Sequence, residues 1–88
     1  MMTTTVTVHT PHAPLTTAVG SPGHTVMHIT CGSPATFNLF NGPPGVGNTV
    51  PLMQHLYPHA FDVPVNQTFS KGCYAVVYTP GSMTFTLT

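Results

Sequence analysis

The sequence predicts an all-β fold, a small antiparallel β-sandwich or jelly-roll-like barrel of six to eight short strands with an extended N-terminal arm. Residues 73–79 and 82–88 are period-two segments joined by Pro80-Gly81, a pattern typical of a β-hairpin. Thr, Val, Pro and Gly are abundant while Glu and Arg are absent, which favours strands over helices. Turn residues separate short segments at roughly 8–12-residue intervals, as in sandwiches and barrels.

The chain divides into an N-terminal region, residues 1–23, and a β-sandwich body, residues 24–88. Residues 3–10 alternate as a strand, with Val6 and Val8 on one face. Residues 11–23 contain three prolines and two glycines and are predicted to be an extended arm or loop. We expect the N-terminal region to reach away from the body and to contact a neighbouring chain, as exposed strands do.

The body is predicted to contain strands at residues 24–31, 35–41, 49–54 and 60–65, before the hairpin. Residues 41–48 form a long turn and residues 55–58 an irregular connection. Pro51 and Pro64 place their strands at sheet edges, because proline cannot donate to a ladder. The predicted core residues are Val26, Ile29, Phe37, Leu39, Phe61, Val76, Val77, Phe85 and Leu87.

Charge is the most unusual property of this 88-residue, single-domain chain. Charged residues make up 2% of it, against roughly 25% in a typical soluble domain. Little charge gives little protection against self-association, so we expect other subunits to cover the surface; a surface hydrated by Thr, Ser, Asn and Gln is the alternative. Nucleic acid is not an expected partner without basic residues. Neither a membrane span nor a secretory signal is expected from the pattern.

Few residues could bind a metal ion or act in catalysis. The six histidines lack the close Cys/His pairs of structural zinc sites, so we expect surface or interface histidines and no metal or cofactor. Cys31 and Cys73 are expected to be buried free thiols, with one disulfide as the alternative. Asp62 is the one side-chain carboxylate, which excludes paired-carboxylate catalysis, and no motif places a nucleophile beside a base. We expect no enzyme activity.

Three segments carry a resemblance to a known class of proteins. They are residues 37–42 (FNLFNG), 69–76 (FSKGCYAV) and 80–85 (PGSMTF). With them, the pattern of residues 24–88 resembles small β-sandwich virion proteins of tailed bacteriophages. The chain departs from that pattern in its histidine content and in the strands that contain Pro51 and Pro64.

The resemblance implies a capsid decoration (cement) protein, which binds the outer shell and stabilises contacts between major capsid subunits. Its implied partners are the major capsid protein and itself, as a homotrimer, on the capsid surface of the virion after synthesis in the host cytoplasm. The predicted contact residues are those of the arm and of the proline-rich loops: Thr3, Thr5, Val6, Val8, His9, Pro11, His12, Pro14, Pro43 and Pro44.

Two other functions remain open from the sequence. A tail- or fibre-associated adhesion module would bind a host-surface glycan by stacking sugars on Tyr57, Tyr74 and Tyr78. A metal-binding module would use the histidines.

Overall fold

The structure, a computed structural model, describes residues 1–9 and 13–88, which form eight antiparallel strands in two sheets. The strands in chain order are β1 (Met2–Val8), β2 (Leu15–Gly20), β3 (His24–Cys31), β4 (Ala35–Asn41), β5 (Met53–Tyr57), β6 (Phe61–Phe69), β7 (Cys73–Val77) and β8 (Gly81–Leu87). The predicted small antiparallel β-sandwich is confirmed. None of the described residues belongs to a helix long and apolar enough to cross a membrane.

The strand order is that of a jelly roll. Sheet A has the order β1-β8-β3-β6 and sheet B the order β2-β7-β4-β5. The first four strands therefore pair in nested fashion with the last four: β1 with β8, β2 with β7, β3 with β6 and β4 with β5. This nesting, folded over into two facing sheets, is the double Greek key of jelly rolls.

The core lies between the two sheets and matches most of the prediction. Seven of the nine predicted core residues are buried: Val26, Ile29, Phe37, Leu39, Val77, Phe85 and Leu87. Phe61 is half-buried and packs against this core. The prediction for Val76 is wrong, because Cys73, Ala75 and Val77 occupy the inward positions of β7 and alternation turns Val76 outward.

An irregularity in β3 explains why Val26 and Ile29 are both buried although strict alternation would separate them. The register shifts between Val26 and His28 in the pairings with both β6 and β8. This irregularity reverses the inward–outward alternation of β3 between Val26 and Ile29, so both side chains point into the core. Such bulges change which face a side chain occupies.

The predicted hairpin of residues 73–79 and 82–88 is wrong as a pairing, although both segments are strands. β7 lies in sheet B between β2 and β4, whereas β8 lies in sheet A between β1 and β3. Residues 78–80 therefore cross from one sheet to the other. Gly81 ends this crossing with a φ of 131°, a conformation that side chains disfavour.

The extended N-terminal arm is not confirmed. β1 pairs with β8 of the same chain from Met2 to Val8, and Val6 and Val8 are 6% and 3% exposed within the core. The segment predicted as a loop contains β2, which pairs with β7. The buried valines and the backbone hydrogen bonds of β1 and β2 therefore find their partners within the same chain.

The two strands predicted to contain Pro51 and Pro64 lie at sheet edges, as predicted, but their bounds differ from the prediction. β5 begins after Pro51 and includes His55 and Tyr57, which were predicted to lie in an irregular connection. β6 contains Pro64 and extends to Phe69. Both are edge strands, β5 of sheet B and β6 of sheet A, as proline in or beside a strand predicts.

Candidate functional site

The outer face of sheet A is rich in hydroxyl groups, and we call it the hydroxyl face. The hydroxyl of Thr5 lies 3.3 Å from that of Thr84, and the hydroxyl of Thr7 lies 2.9 Å from that of Ser82. Further hydroxyls on this face come from Thr3, Thr25, Thr30, Thr68 and Thr86. Each hydroxyl keeps capacity for water, so this face is suited to solvent.

The outer face of sheet B is uncharged and largely apolar, and we call it the apolar face. Tyr74 is the cross-strand neighbour of Ala18 on one side and of Phe40 on the other. Leu56 and Tyr78 are 70% and 45% exposed. The apolar face comprises Ala18, Phe40, Leu56, Tyr74, Val76 and Tyr78. Polar residues interrupt it, because Thr16 and Asn38 flank Val76 and Thr36 is the cross-strand neighbour of Leu56. Adjoining apolar side chains, such as Ala18, Tyr74 and Phe40, mark interaction surfaces more often than isolated ones do.

The four edge strands are not equally protected against pairing with another strand. β6 carries Pro64, the charged Asp62 and Asn66, whose φ is 54°; these features discourage strand addition. β1, β2 and β5 all lack proline and Asp, Glu, Lys and Arg. Leu56 on β5 and Leu52 just before it are 70% and 48% exposed. β5 is therefore an unguarded, apolar edge.

The side of the sandwich between β5 and β6 is incompletely closed, and we call it the open seam. Its inward side chains pack against the core but stay partly exposed: Met53, His55, Tyr57, Phe61, Val63 and Val65. Tyr57 stacks on Phe61 with ring centroids 4.2 Å apart. On the opposite side, Val6, Val8 and Val19 are at most 6% exposed, while Ala13 and Leu15 are partly buried.

His55 is the polar member of the open seam. Its ring lies 5.1 Å from that of Phe37 and 5.5 Å from that of Tyr57, centroid to centroid. Its Nδ1 atom is 3.3 Å from the Tyr57 hydroxyl, while its Nε2 atom is buried without a hydrogen-bond partner among the described residues. Burial lowers the pKa of this imidazole below its ordinary value of 6.5.

His28, Thr30 and Asp62 form a polar cluster on the outer face of sheet A. His28 Nε2 lies 2.7 Å from Asp62 Oδ1, and the Thr30 hydroxyl donates to the same oxygen over 3.2 Å. The His28 and Asp62 side chains are 38% and 67% exposed. The distance of 3.5 Å between Thr30 Oγ1 and His28 Nδ1 is too long for efficient proton transfer. An exposed pair of this kind contributes at most about 1 kcal/mol to stability.

The groups considered for metal or thiol chemistry are dispersed. Among the described residues, no three His, Cys, Asp or Glu side chains come together to hold a metal ion. Cys31 and Cys73 are free and buried, one in each sheet. Burial raises the pKa of the Cys73 thiol to about 12, which disfavours the nucleophilic thiolate.

Of the three tyrosines proposed for glycan stacking, Tyr74 and Tyr78 share the apolar face and Tyr57 does not. Tyr57 lies in the open seam, while Tyr78 lies on the apolar face, where its hydroxyl accepts from Asn38 Nδ2 over 3.4 Å. Tyr74 borders a shallow, open depression of about 360 Å³ lined by Ala18, Val19, Gly20, Ser21, Pro22, Gly72 and Tyr74. This lining contains no carboxylate or amide side chain of the kind that orients sugar hydroxyls.

The predicted contact residues are separated in the structure. Val6 and Val8 face the core and are unavailable to a partner, while Thr3, Thr5, His9 and Pro14 are exposed. The strand registers place the end of β1 at Val8 and Pro43-Pro44 at opposite ends of the sandwich. Pro43 is exposed and Pro44 half-buried. Pro11 and His12 lie outside the described residues.

Sequence reasoning missed the apolar face and the open seam, although the sequence contained a signal for the first. Residues 73–78 (CYAVVY) are apolar or aromatic at every position, which is typical of a strand covered on both faces. In contrast, residues 82–88 (SMTFTLT) alternate strictly, as expected for a strand with one solvated face.

Comparison with known proteins finds no matching family model, no matching curated protein and no matching solved structure.

Proposed function

We propose that this protein is a non-enzymatic structural subunit of a bacteriophage virion, a capsid decoration (cement) protein that binds the outer shell and stabilises contacts between major capsid subunits. The observation that carries the proposal is the asymmetry between the two outer faces. The apolar face lies against the shell, and the hydroxyl face is turned to solvent. The proposed contact is therefore a sheet face of the body and not an N-terminal arm.

The dimensions of the molecule suit such a contact. Its principal extents are 30 × 29 × 17 Å, so a broad face is comparable with the roughly 800 Å² that each partner buries in an interface of standard size. Val76 lies towards the end of β7, an inner strand of sheet B, and Tyr78 directly follows that strand. Aromatic and apolar groups surrounded by such a surface are typical anchors of protein interfaces.

The near absence of charge supports the same role. Asp62 is on the outer face of sheet A, and Lys71 follows β6 in the β6–β7 turn, so neither charge lies on the apolar face. Burying this face against another protein leaves no unpaired ion, which would be costly. The sequence resemblance to virion proteins and the jelly-roll topology, which capsid and lectin domains both use, agree with the proposal. Fold alone does not assign the role.

The test is binding of purified protein to capsids that lack it, measured by co-sedimentation. Val76→Lys places a charge on the apolar face and is expected to abolish binding. Thr3→Lys places the same charge on an exposed position of the hydroxyl face and is expected to leave binding unchanged. If Thr3→Lys abolishes binding and Val76→Lys does not, the contact is on the β1 side, as the sequence predicted, and the apolar-face proposal is wrong.

A further inference from the structure

We infer that two copies of this chain pair along the β5 edges, which joins two copies of sheet B into one continuous sheet and closes the open seam of each. This pairing goes beyond the proposed function and does not rest on it, because it requires no shell.

The core is less completely covered on the β5–β6 side. Alternate residues of β5 and β6 point inward yet stay partly exposed from Met53 to Val65, whereas Val6, Val8 and Val19 on the β1–β2 side are buried and Leu15 there is partly buried. Partly exposed apolar side chains in contact with a core gain further stabilisation when a partner removes them from water. A second copy that brings its own seam to this side supplies apolar side chains of the same kind.

The unpaired backbone edge of β5 is also available for strand addition. The outer edge of β5 has no neighbouring strand in sheet B, so about half of its N–H and C=O groups lack a ladder partner. β6, the neighbouring edge, is guarded by Pro64, Asp62 and the bulged Asn66. Strand addition at this side of the molecule is therefore directed to β5.

A second copy of this chain is the partner that we infer for β5. An antiparallel pair of identical strands is self-complementary about a twofold axis. β5 has no Asp, Glu, Lys or Arg, and Asp62 on β6 is already engaged by His28 on the outer face of sheet A. Two β5 edges thus meet without like charges, with Leu56 exposed beside the contact. A charged partner strand would find no opposite charge there.

The inference fixes stoichiometry. A twofold pairing gives a dimer of twice the 9.3 kDa chain mass, whereas the sequence resemblance implied a trimer. Sedimentation equilibrium of the full chain at neutral pH decides between them: a dimer supports the inference, and a monomer or trimer contradicts it.

A variant pair locates the interface. Leu56→Lys is expected to weaken the dimer by at least about tenfold, because it places like charges beside each other across the twofold. Thr16→Lys, at an exposed position of β2 on the opposite edge of sheet B, is expected to leave the dimer intact. Circular dichroism checks that each variant is folded. A dimer that resists Leu56→Lys but dissociates with Thr16→Lys contradicts the β5 assignment.

A covalent readout covers the case in which Leu56→Lys does not fold. Gln54→Cys places an exposed thiol on β5, and oxidation is expected to cross-link two chains near the twofold. Thr68→Cys, exposed on the outer face of sheet A, is the matched control and is expected to remain uncross-linked. Equal cross-linking of both variants overturns the inference.

Discussion

The imidazole of His55 stacks against the ring of Phe37 at a centroid distance of 5.1 Å, and its Nε2 atom is buried with no partner among the described residues. Burial of the ring in the apolar seam is therefore favourable only while the imidazole is neutral. Protonation would add a charge and a second N–H donor where neither finds a partner. This relationship makes the β5 side of the sandwich sensitive to acid.

We predict that stability falls as the pH drops below about 6.5. The pKa of His55 is lower in the folded chain than its ordinary value of 6.5, so the unfolded chain binds the proton first. The contribution of His55 is complete above that pH and is lost as the pH falls towards the folded pKa. Urea unfolding of His55→Phe between pH 8 and pH 5 should show a shallower loss than the wild type. At pH 8 the two proteins differ in packing and in the polar contact between His55 Nδ1 and the Tyr57 hydroxyl, so the pH dependence and not the absolute stability is compared. Parallel curves would contradict the prediction.

We predict that β1 is required for folding. Val8→Ala removes buried methyl groups and is expected to lower the free energy of unfolding by about 2 kcal/mol. Thr3→Ala, at an exposed position of the same strand, is expected to change it by less than about 0.5 kcal/mol. Deleting residues 1–8 uncovers β8 and should give an unfolded chain by circular dichroism. A folded truncated protein would restore the idea of a detachable arm.

We predict that Gly81→Ala is destabilising because it alters the crossing between the sheets. A Cβ atom there would lie 2.7 Å from Ser33 Oγ, on a backbone with a φ of 131°. The expected loss is about 1–3 kcal/mol in thermal or urea unfolding. Gly32→Ala is the control, since its Cβ would meet nothing within 4 Å. Adding Ser33→Gly should recover only the steric part of the loss. A neutral Gly81→Ala would argue for a different β7–β8 connection.

We predict that the Cys73 thiol is unreactive in the folded protein. Burial raises its pKa to about 12, and its side chain is 1% exposed. A thiol reagent at pH 8 should modify it only after denaturant is added. Stability should also fall as the pH rises above about 9, because the unfolded thiol ionises first. Cys73→Ala should lose that alkaline dependence. Rapid native labelling of Cys73 would contradict its placement in the core.

Strand positions were largely predictable because alternation is a local property. The bounds of β3 and β4 coincide with the predicted segments, and Phe37, Leu39, Phe85 and Leu87 face the core as expected. β2 was missed because its proline-containing surroundings resemble a loop.

Pairing was not predictable because it depends on distant residues. A three-residue connection after β7 can turn back in one sheet or cross to the other. The alternation of inward and outward residues along the strands is the same in both cases. The neighbours of β8 come from β1 and β3, far away in the chain. The open seam was likewise not predictable, since the exposure of its side chains depends on how the two sheets pack and not on a local sequence pattern.

Cryo-electron microscopy of the native virus particle would show directly where this protein lies. We predict density for this sandwich on the outer surface of the shell, with Val76 and Tyr78 against the major capsid protein and the hydroxyl face towards solvent. A copy that instead lies on the tail, or contacts the shell through the hydroxyl face, would contradict the account, as would particles that contain no copy.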